Sequence, residues 1–141
     1  MYHKNLKDYT ANSLQAEMLV ADNYRVIQLM MQGTMEKLAQ AKGAIERRDF
    51  EAKSAAISKA MALLNGLQDS LDLSYGKIPE DLYALYDYMK YRLMDASRNM
   101  DVTPVDEVAQ LFITIKSAWD SIPQAERMQA LAQQLAKDAA G

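Results

Sequence analysis

The chain has 141 residues, a formal net charge of −3, no cysteine and a single histidine. That length suits one domain with its own core. The missing cysteines exclude a disulfide scaffold, thiol chemistry and cysteine-ligated zinc, and the acidic balance argues against a protein that grips phosphate backbones. Ten methionines against five glycines and three prolines favour helix throughout. The first twenty residues are too polar for a secretory signal and no apolar run approaches a membrane span, so the expected location is the cytoplasm, without membrane insertion.

In chain order, residues 1–20 place Leu6, Tyr9, Leu14 and Met18 at roughly helical intervals and form an expected mobile cap segment. A bundle is expected over 21–120. Its first helix starts at Asp22 or Asn23 and runs to about Arg47, with Ile27, Met30, Met31, Thr34, Leu38, Ala41 and Ile45 facing inward and Val26 and Leu29 widening that face. Gly33 and Gly43 inside it either admit a neighbouring helix or floor a groove. Asp49 suits the cap of a second helix through Leu71, with Ala56, Ala60, Leu63, Leu64, Leu67 and Leu71 inward. The connection before it is short, which forces an antiparallel hairpin.

Residues 72–78 read as a loop, and Pro79 suits the first turn of a third helix whose positive end Glu80 and Asp81 complement. On that helix Leu82, Leu85, Tyr86, Met89, Leu93, Ala96 and Met100 form one apolar stripe. Tyr83 and Tyr91 fall outside it, which is more aromatic surface than a single core stripe requires. Thr103-Pro104-Val105-Asp106 predicts a fourth helix capped by Thr103, with Val105, Val108, Phe112, Ile115 and Trp119 inward and Trp119 in the core. Pro123 ends or restarts the helix, and 121–141 form a weakly amphipathic C-terminal helix or tail. The fold class is all-α: an antiparallel four-helix bundle with an N-terminal cap segment and a short fifth helix at the C-terminus.

No catalytic constellation stands out. His3 lies in a terminal segment, scattered acids such as Asp22, Glu36, Glu46 and Asp87 read as solvated helix faces, and no glycine-rich phosphate loop occurs. The chain is expected to be no enzyme and to need no metal or other cofactor. Methionine-rich and tyrosine-rich helix faces adapt instead to an extended or helical peptide.

The run Leu85-Tyr86-Asp87-Tyr88-Met89, followed by Arg92-Leu93, resembles the signature of the flagellar secretion chaperones called FliS. Further residues carry the likeness from about Tyr9 to Trp119: Tyr9 standing fifteen residues before Tyr24, Ala21-Asp22-Asn23 at a helix start, Gly33 inside a helix, Ala41-Lys42 through Asp49, and Ala118-Trp119. The chain departs from the family pattern at Leu29-Met30-Met31-Gln32, where an aromatic and a carboxylate are usual.

The resemblance implies a cytoplasmic export chaperone, the family's main one or a divergent paralogue. It would bind the disordered C-terminal segment of flagellin one to one, block premature filament assembly and hand the subunit to the flagellar type III export apparatus. It leaves room for other flagellar regulators or export components as partners, and gives no role to nucleic acid. Within that reading the partner-binding residues are Ile27, Met30, Met31, Tyr83 and Tyr86, with Tyr9 in a segment that covers part of the client groove. The rival is a self-associating structural or regulatory bundle of the flagellar system that dimerises through its tyrosine face and has no flagellin client.

Overall fold

A computed structural model describes residues 23–140. Five α-helices follow one another: α1 (Asn23–Glu46), α2 (Phe50–Asp69), α3 (Lys77–Asn99), α4 (Val102–Asp120) and α5 (Gln124–Ala140), with a 3-10 turn (Leu73–Tyr75) between α2 and α3. Among the described residues there is no strand. Helices α1 to α4 close a ring in which α1 packs on α2 and α4, and α3 on the same two. Lys53 near the start of α2 meets Ser97 near the end of α3, whereas Gln68 near the end of α2 meets Tyr83 near the start of α3. Neighbours are therefore antiparallel, as the short connections require.

The stripes converge on one core. Leu38 and Ala41 of α1, Ala60 and Leu64 of α2, Met89 and Leu93 of α3, and Val108 and Phe112 of α4 are all buried. Thr34 sits among them because its hydroxyl donates to the Met30 carbonyl oxygen at 2.8 Å, so its own polar atom is not orphaned. The α1–α2 seam is tight: a Cβ on Gly33 would come within 3.3 Å of Leu63 Cδ1. Of the two sequence readings for this glycine, close packing of a neighbouring helix is the one the seam uses.

Two of the turns use one device. At the end of α1, Arg48 takes a left-handed φ of 56°, and the Asp49 and Arg48 N–H groups return to the Ala44 and Ile45 carbonyls at 2.9 and 3.0 Å. The Asp49 carboxylate then accepts from Ala52 N–H at 3.1 Å and starts α2. At the end of α3, Met100 takes a φ of 49°, Asp101 N–H returns to the Ala96 carbonyl at 3.1 Å, and the Asp101 carboxylate accepts from Thr103 N–H at 2.9 Å. One aspartate thus closes a helix through its backbone and opens the next through its side chain.

Three sequence expectations are corrected here. The cap of α4 is Asp101, not Thr103: Asp101 has the extended φ and ψ a cap needs, −116° and 125°, and Pro104 falls in the third helical position. The expected loop 72–78 ends sooner, because helix α3 starts at Lys77; Pro79 is its third residue and lies in the first turn as expected, where its missing N–H has no intrahelical partner to lose. Within the expected loop, Asp72 organises the 3-10 turn by accepting from Ser74 N–H at 3.0 Å and Ser74 Oγ at 2.5 Å. Gly76 follows with a φ of 104°, which an L side chain rarely adopts. The expected cap segment 1–20 lies outside the described residues.

Candidate functional site

Where α3 begins and α4 ends, the ring of helices does not close over its own apolar face. The result is an open groove of about 540 Å³. Met31, Leu67 and Tyr86 floor it, Ile27, Leu82 and Ile115 form its walls, and Ile78 and Tyr75 stand at its rim, 76% and 83% exposed. The lining comes from four helices, and Asp72 is the one charged residue in it. A surface of this kind holds an apolar segment through many shallow contacts and offers few directional polar ones.

Trp119 packs against the edge of the core, as the stripe foretells, but is not fully buried in it. It is half-buried at the groove's end, its ring stacks on Tyr24 with centroids 5.3 Å apart, and its indole N–H donates to the Tyr24 carbonyl at 3.2 Å. At the end of the stripe the tryptophan thus bridges the edge of the core and the start of α1. Gln28 fixes the same junction by donating to Asp120 at 3.1 Å, and Lys116 pairs with Asp120 at 2.5 Å. Those two partners hold the Asp120 carboxyl below its ordinary range, Lys116 first.

The signature run on α3 divides by direction. Tyr86, Met89 and Leu93 point into the core; Tyr86 is 2% exposed, and burial pushes its phenol up to about 12. Asp87 turns toward α2 and accepts from Gln68 Nε2 at 2.8 Å, the main cause of its lowered carboxyl pKa. Lys90 donates to the other end of Gln68 at 2.6 Å. Tyr88 turns toward α4 and donates to Glu107, which Arg92 also reaches at 3.3 Å. The Tyr88 hydroxyl, then Arg92, hold Glu107 below its ordinary range. The run is an interhelical staple, and only Tyr86 of it lines the groove.

The six sequence-predicted site residues therefore separate. Ile27, Met31 and Tyr86 share the groove, the last two as floor. Met30 faces the α1–α2 seam instead, its sulfur 3.2 Å from where a Cβ on Gly66 would stand. Tyr83 is exposed away from the groove, and Tyr9 lies outside the described residues. Sequence reasoning missed Tyr75, Ile78, Leu82, Ile115 and Ile122 as lining. The available signal was Tyr75 and Ile78, large apolar residues in an expected loop with nothing to pack against.

Beyond the groove, α5 lies beside the start of α1. Arg127 sits 4.4 Å over the Tyr24 ring, and Leu131 and Lys137 line a second cleft of about 460 Å³ that also touches Tyr75, Trp119 and Ile122. No helix among the described residues is long and apolar enough to cross a membrane, and no cluster of three His, Cys, Asp or Glu side chains gathers among them.

An all-α bundle with an open apolar groove offers a surface suited to holding another chain. Comparison with known proteins gives this bundle a family. The model for "Flagellar protein FliS" matches residues 5–126. A flagellar secretion chaperone FliSB from Pseudomonas aeruginosa is 41% identical over 120 residues, covering 84% of this chain and 95% of that protein. Flagellar secretion chaperones FliS from Vibrio cholerae and Salmonella typhimurium are 30% and 34% identical, over 84% and 83% of this chain and 88% of each relative. The chain belongs to the FliS family.

Proposed function

We propose that this protein is a cytoplasmic export chaperone that binds the disordered C-terminal segment of flagellin one to one, keeps it from polymerising and presents it to the flagellar export apparatus. The observation that carries the reading is the open groove floored by Met31, Leu67 and Tyr86 in a chain whose relatives are named secretion chaperones. A segment that folds on docking buries apolar surface and loses its own conformational entropy, so contact must be broad. Ile27, Met31 and Tyr86 would serve as groove contacts, with Met30, Tyr83 and Tyr9 engaging any part of the client that runs beyond the groove.

Calorimetric titration with intact flagellin and with its tail peptide tests this. A negative heat-capacity change, 1:1 stoichiometry and a gain of helix in the peptide are expected. No binding by either at high micromolar concentration removes flagellin as the client.

A second reading, self-association, is favoured by one observation. Tyr91, 69% exposed, lies beside Met61 and Met94 on the α2–α3 face, and none of the three lines the groove. A stable dimer in solution with Tyr91 protected from solvent supports that reading; a monomer that becomes a heterodimer with flagellin supports the chaperone.

A further inference from the structure

We infer that the cleft between α5 and the start of α1 is a carboxylate site, in which Arg127 receives the C-terminal α-carboxylate of the segment docked in the groove. The inference rests on the client reading above. The groove and the cleft are continuous: Tyr75, Trp119 and Ile122 line both, and Tyr24 in the cleft precedes Ile27 in the groove by about one helical turn. An apolar segment lying along the groove toward Trp119 therefore ends beside α5.

What waits there is a cation without an anion. The Arg127 guanidinium is held 4.4 Å over the Tyr24 ring, and its Nε is buried with no acceptor. Among the described residues no carboxylate pairs with it. Lys137 lines the same cleft, and Glu126 is the one acidic residue of the lining. Asp72 at the groove's mouth is engaged with Ser74 at 3.0 and 2.5 Å. An arginine fixed by an aromatic face presents its N–H fork with little freedom left to lose, the condition under which it recognises a carboxylate in bidentate fashion. A C-terminal segment brings such a group at its end, so the groove would read the client's apolar anchors and the cleft its terminus and direction. Arg127 and Lys137 lie on α5, just past the span matched to the family.

The test uses the full-length protein and two flagellin tail peptides of one sequence, a free acid and a C-terminal amide, titrated at low salt. Wild type is expected to bind the free acid about tenfold more tightly, the scale of one charge-assisted bidentate contact. Arg127→Gln is expected to erase that preference by weakening the free acid far more than the amide, and Arg127→Lys to keep part of it; helix content by circular dichroism checks that α5 stays folded. Equal affinity of wild type for the two peptides overturns the inference, and leaves flagellin as client. So does an equal loss for both peptides in Arg127→Gln, which would make Arg127 only a brace for α5, or a preference that survives the substitution. If neither peptide binds wild type, the client reading itself fails and this one with it.

Discussion

Ile78 separates docking from folding more cleanly than any other position. It stands at the groove's rim 76% exposed, so the fold has little stake in it. Full burial of an isoleucine side chain is worth about 1.5–3 kcal/mol, and three-quarters of that surface is still bare. A segment that covers it gains roughly 1–2 kcal/mol there, so Ile78→Ala should raise the Kd for the flagellin tail by about five- to thirtyfold. Anisotropy of a labelled tail peptide measures that change, and thermal unfolding followed by circular dichroism should show a Tm close to wild type. The control is Phe112→Ala in the core, where truncation costs about 3–5 kcal/mol and unfolds or strongly destabilises the bundle. The reasoning is refuted if Ile78→Ala leaves the Kd within twofold of wild type, or if it lowers the Tm as Phe112→Ala does.

Arg48→Gly should raise the Tm, because a left-handed backbone costs an L residue about 1 kcal/mol and the substitution removes only an exposed cation–π pair, Arg48 over Phe50; a lower Tm counts against strain at that turn. The carboxyls of Asp87, Glu107 and Asp120 are all depressed in the folded state, so their contribution to stability is present above the ordinary carboxylate range and is lost as pH falls through their folded values. The urea midpoint should therefore drop between about pH 5 and pH 3, and Glu107→Gln should shrink the drop; an unchanged pH dependence in that variant excludes Glu107 as a contributor. Removing residues 1–20 should speed association with the client and increase self-association of the free protein; loss of client binding by a still-folded bundle would make that segment a contact element instead.

The helices were legible because caps and stripes agree. Asp49 begins α2 as its chemistry foretells, and Leu38, Leu64, Leu93 and Phe112 recur at helical intervals that all lead inward. The start of α4 was misplaced because Asp101 and Thr103 are both good caps two residues apart. The left-handed turn at Met100, which sets the extended backbone of Asp101, decides between them and has no signal of its own. Lys53 and Gln68 are buried although neither looks like a core residue. Their burial depends on Ser97 and on Tyr83 and Asp87, which belong to another helix. The groove was legible only through Ile27, Met31 and Tyr86, because Ile78, Ile115 and Trp119 come together from helix ends remote in sequence.

The shared-aspartate turns also divide the chain into two hairpins. Helices α1 and α2 form one hairpin, α3 and α4 the other, and residues 70–76 are the covalent link between the two. The groove runs along their boundary, with Ile27, Met31 and Leu67 on one side and Tyr86, Ile115 and Trp119 on the other. Within each hairpin the contacts are local and form fast; docking one hairpin on the other is the slower, less local event. An occupied groove stitches the halves together, whereas an empty one leaves only protein contacts to resist their parting. Two empty copies that open at that boundary can trade hairpins and close again as an exchanged pair, with residues 70–76 as the crossing strand. A segment bound across the boundary would suppress that trade.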